Sequence, residues 1–122
     1  MQKLNNIFET ISESILKDFS KVIFFCEVEQ KAYEIYYYAF DKTGEYKQCY
    51  ELVDSDLVDS TMLERMFEKM ARFIRESDEF DSEKRNVITI KIEGTSENVA
   101  IEHFDKSVGL YKLKKEWKAN NL

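Results

Sequence analysis

The chain has 122 residues, 43% of them hydrophobic and 14% aromatic, with a formal net charge of −6. That length suits one domain, and the apolar content is too high for a chain that stays disordered. With three glycines and no proline, it has no material for proline-rich linkers or a phosphate-cradling glycine loop.

Residues 1–122 are therefore read as a single folded domain. No run approaches the roughly 20 apolar residues of a membrane-spanning helix. No unbroken apolar core follows Met1-Gln2-Lys3, so no secretory signal is read. Cys26 and Cys49 have no His or Cys neighbour at metal spacing, which predicts buried free thiols in a reducing compartment. A cytoplasmic location is expected.

Leu4, Phe8, Ile11 and Ile15 fall on one face of an amphipathic helix over residues 4–18, with Glu9, Glu13 and Lys17 opposite. From Lys21 to Glu29 the period changes to two, predicting a strand with Glu27 and Glu29 on its polar side. Residues 32–40, rich in tyrosine, suit a second strand, and Gln30-Lys31 a hairpin link. Asp41-Lys42-Thr43-Gly44-Glu45 is a turn, after which Tyr46 to Val53 reads as a third strand. Asp59 or Ser60 caps a helix that puts Leu63, Met66, Phe67, Met70, Phe73 and Ile74 on one face. An acidic loop over residues 76–83 follows.

Strict alternation over residues 86–93, a turn at Gly94-Thr95-Ser96 and a return over 98–104 predict two more strands. Leu110, Leu113 and Trp117 mark a last helix over about residues 106–120, its four lysines forming a solvated face. The order is α-β-β-β-α-β-β-α. Short links make an antiparallel sheet of about five strands, with helices covering its apolar side. The fold class is α+β.

Chemistry is harder to find. His103 is the sole histidine, and neither cysteine sits in an activating motif. Asp54, Asp56 and Asp59 imitate calcium-loop spacing but lack the turn glycine and the distal glutamate. No cofactor and no metal are expected, and the chain is read as no enzyme. The run Tyr36-Tyr37-Tyr38 could stack bases, but at least half of it must face the core, and the charge around it is acidic.

What stands out is the charge. Eleven acids and four bases lie between Glu51 and Glu83, a net of −7, which leaves the rest of the chain close to neutral. Such a field repels nucleic acid and anionic membranes and steers basic proteins. The expected contact residues are Asp54, Asp56, Asp59, Glu76, Asp78, Glu79, Asp81 and Glu83, with Phe80 as an aromatic anchor.

Several segments together resemble the YezG-like immunity proteins, antidotes to polymorphic and contact-dependent inhibition toxins of bacteria. They are the hairpin through residues 22–28 and 33–38, the helix through Met66-Phe67-Glu68-Lys69-Met70, the strand pair over residues 87–92 and 99–105, and the closing Glu116-Trp117-Lys118. The stretch after the last strand is shortened to Asp105–Gly109, and the terminus lacks the family's glycine ending. The resemblance implies an antitoxin that binds the C-terminal toxin domain of a cognate effector, commonly a nuclease, and occludes its basic active-site surface. A non-enzymatic adaptor or regulator with a different basic protein partner is the alternative. No direct nucleic-acid or membrane binding is expected, and a monomer is.

Overall fold

A computed structural model of the chain describes residues 19–94 and 96–122. The helix expected over residues 4–18, and Thr95 of the expected turn, lie outside the described residues. The described part is α+β, with strands β1 (Lys21–Val28), β2 (Tyr33–Phe40) and β3 (Tyr46–Gln48), then helices α1 (Cys49–Asp54) and α2 (Ser60–Glu76). Strands β4 (Arg85–Glu93) and β5 (Ser96–Phe104) and helix α3 (Leu110–Asn121) complete it.

The five strands form one sheet in the order β3-β2-β1-β4-β5, and every neighbouring pair is antiparallel. Short connections force this pairing for β1–β2, β2–β3 and β4–β5, while β1 and β4 meet across residues 29–84. In the β2–β3 link the Asp41 carboxylate accepts from the Thr43 N–H at 2.8 Å and the Thr43 hydroxyl at 2.6 Å. Gly44 takes the positive φ of 89° that a side chain would oppose.

The third strand is shorter than its β-prone sequence predicts. It ends at Gln48, and the chain turns into α1 because Cys49, Leu52 and Val53 suit a helical stripe. Glu51 fixes the start by accepting the Gln48 N–H at 3.2 Å. The last helix begins at Leu110, four residues later than expected. Asp105 first folds a turn by accepting the Ser107 N–H at 2.9 Å.

Both faces of the sheet are covered, which corrects the expectation of helices on one side. Register places Phe24 beside Tyr37 and Ile90, and these meet α2, where Phe67 lies edge-on to Tyr37 at 6.5 Å. Leu63, Phe67, Met70, Ala71 and Ile74 form the buried stripe of that helix.

On the opposite face Phe25 sits between Tyr36 and Thr89, under α3. Trp117 packs edge-on to Phe25 at 5.1 Å and stacks with Tyr38 at 6.1 Å. Its indole N–H donates to the Thr89 hydroxyl at 2.8 Å. All three tyrosines of the run are therefore core residues. Lys112, Lys115 and Lys118 are exposed, as expected of a solvated face, while Lys114 is half-buried over the Tyr36 ring and Lys118 also lies over that of Tyr38.

This two-sided burial also encloses Glu27, which strand alternation had assigned to a polar side. It is 2% exposed, with Arg85 Nη1 at 3.4 Å from both Glu27 and Glu29. Arg85 also donates to the Val108 carbonyl at 3.1 Å, tying the cluster to the lead-in of α3.

Candidate protein-binding surface

The expected contact residues fall into two groups rather than one. Helix α2 has 17 residues, so its ends stand roughly 25 Å apart. Asp54, Asp56 and Asp59 lie before its start; Glu76, Asp78, Glu79, Phe80, Asp81 and Glu83 lie at and beyond its end.

The first group sits on a firmly tied turn. The Leu57 and Val58 N–H groups both donate to the Leu52 carbonyl, at 2.9 and 3.3 Å, and Asp56 N–H donates to Val53. These bonds tuck Val58 against the core and turn Leu57 outward. Asp56 adopts a φ of 60°, a left-handed conformation that aspartate tolerates better than most residues. Asp59 is the N-cap of α2 and accepts the Met62 N–H at 3.0 Å.

Leu57 and Met62 are 66% and 65% exposed, so two large apolar side chains stand among three exposed carboxylates. From Gln48 to Glu64 there is no basic residue at all. Among the described residues, no ion pair engages Asp54, Asp56 or Asp59. Apolar side chains rimmed by unpaired charge of one sign mark an interaction surface.

The second group is more heavily committed to its own fold. Asn86, buried, accepts the Asp81 N–H at 2.8 Å and donates to the carbonyls of Val28, Asp81 and Lys84. Asp81 accepts the Glu83 N–H at 2.9 Å. Phe80, expected as an exposed anchor, is half-buried against the core and holds the loop down. The loop is also tied to the end of β5: Lys106 donates to the Ser82 carbonyl, and His103 Nε2 lies 2.7 Å from the Glu79 carbonyl. Lys84 pairs with Asp105 at 3.7 Å.

Leu57 and Met62 were missed as contact candidates. Each sits singly between polar residues, so hydropathy patterning carries little signal for it. The better signal was the absence of lysine and arginine over residues 48–64.

Other chemistry has little to work with. Both cysteines are free and buried. Burial pushes the Cys49 thiol up to about 11, and Cys26 higher still, away from the thiolate form a nucleophile needs. No group of three His, Cys, Asp or Glu residues among those described is arranged to hold a metal. A groove of about 320 Å³ opens between α3 and β4–β5, with Lys91, Glu102 and Glu116 at its walls and Trp117 at its base. It offers hydrogen bonds and charge, but no nucleophile paired with a base. No helix among the described residues is long and apolar enough to cross a membrane.

No protein-family model matches the chain, and no curated protein sequence does.

Proposed function

We propose that this chain is an immunity-type binding protein that captures a basic toxin domain, a nuclease by preference, and blocks it without chemistry. The observation that carries this reading is the turn between α1 and α2, where Leu57 and Met62 stand exposed among Asp54, Asp56 and Asp59. The carboxylates steer a positively charged target into encounter, and the apolar pair gives the encounter something to bury. A nuclease domain must be basic to hold phosphates, so its active-site surface is the natural complement. Resemblance to the YezG-like immunity proteins supports the same partner class. The loop over residues 76–83 is a secondary contact, reached only by a partner wide enough to span the length of α2.

The test is co-expression with the C-terminal domain of the effector encoded immediately upstream. Cells survive with the native chain. They die with a variant carrying Asp54→Lys, Asp56→Asn and Asp59→Asn, in which asparagine keeps the helix cap. Survival with the folded variant would refute the proposed surface. An upstream gene product that is harmless without this chain would favour an adaptor role instead.

A further inference from the structure

The two edges of the sheet are unlike. At one, β3 has three residues and offers little to pair with. At the other, β5 runs nine residues in unbroken register with β4, and no described residue pairs with its outer side. It carries no lysine, no proline and no bulge, and its charges are the two carboxylates Glu97 and Glu102.

The order of residues along β5 is self-complementary. A two-fold axis through Ala100, perpendicular to the sheet, sets Glu97 opposite His103 of a second copy, Asn98 opposite Glu102, and Val99 opposite Ile101. The pairs are acid with imidazole, whose Nε2 also meets its own chain's Glu79 carbonyl and leaves Nδ1 for the partner, amide with carboxylate, and one branched aliphatic with another. Moving the axis by one step to either side loses this. An axis at Val99 puts Glu97 against Ile101, and an axis at Ile101 puts Glu97 against Asp105. Glu97 also needs a partner, since its Oε1 is enclosed with no hydrogen bond among the described residues. Ala100, small and exposed, leaves room for close approach at the axis.

We propose that β5 is a homodimer interface, in which two copies pair antiparallel about Ala100 to form one continuous ten-stranded sheet. This departs from the monomer expected from sequence and stands apart from the acidic surface, since β5 takes no part in the turn between α1 and α2. In the dimer the grooves beside the two α3 helices adjoin across the axis.

Sedimentation of the full chain reads it directly. The expected result is reversible association to twice 14.6 kDa as concentration rises. His103→Glu sets two pairs of like charges face to face and weakens association roughly tenfold. Adding Glu97→Lys to that variant restores it. Within one copy, residues 97 and 103 are roughly 20 Å apart along the strand, so such a rescue acts only between copies.

Cross-linking checks the register. Self-paired residues have Cα atoms about 4.5–5.5 Å apart, within disulfide range. Ala100→Cys therefore forms a disulfide-linked dimer under mild oxidation, whereas Asn98→Cys, whose two copies would lie roughly 13 Å apart, does not. A single species of 14.6 kDa up to about 1 mM would overturn the proposal. So would dimerisation indifferent to the charge swap, or equal cross-linking at both positions.

Discussion

Glu27→Gln changes one atom in a closed cluster and should change how stability depends on pH. Burial pushes the Glu27 carboxyl up, Glu29 beside it pushes further, and Arg85 pulls against both, so that it rises from 4.5 to about 7. The folded state thus holds its proton more tightly than the unfolded chain does. The resulting stabilisation is fully present below pH 4.5 and is lost as pH rises through about 7. A displacement of that size corresponds to roughly 3 kcal/mol at most, and sharing of charge with Glu29 and Arg85 reduces it to about 1–2. Urea denaturation at steps between pH 4.5 and 8 reads the effect. The native chain should lose about 1–2 kcal/mol more across that range than the glutamine variant, which lacks the titrating group. Parallel stability curves for the two proteins would refute this reading of the cluster.

Three further outcomes follow from the packing. The Tyr37 hydroxyl is enclosed with no hydrogen-bond partner among the described residues, so Tyr37→Phe should raise stability by about 1 kcal/mol in chemical denaturation. Trp117→Phe loses both volume and the bond to Thr89 and should cost about 2–3 kcal/mol, measured the same way. Asp56→Gly relieves the left-handed backbone at φ 60° and should hold or raise the melting temperature. It also removes one proposed contact charge, so a more stable protein should bind its partner more weakly.

Much of the sheet was legible because strand alternation and turn chemistry are local. The hairpin through Phe24 and Tyr37, the Asp41 turn and the buried stripe of α2 all follow from spacing alone. What failed was whatever depended on the far side of the sheet. Glu27 looks solvated along its own strand, yet it is buried beside Arg85 of β4, a residue 58 positions away in sequence. Tyr46 to Val53 carries β-prone residues throughout, yet Glu51 at the right spacing from Gln48 ends the strand early. The acidic residues expected to act as one surface fall at the two ends of α2. The helix between them was read from the sequence, but its 17 residues were not counted as a separation of the two groups. Phe80 looked exposed because its neighbours are charged, while its own ring is needed by the core.

Titration calorimetry of the native chain against the proposed partner, a purified basic toxin domain from which it protects cells, at about 50 and 500 mM salt, tests the proposed acidic surface most directly. The proposal expects tight binding that weakens at least tenfold at the higher salt, and a comparable loss at low salt for the Asp54→Lys, Asp56→Asn, Asp59→Asn variant. Binding that ignores both the salt and the three substitutions would contradict it.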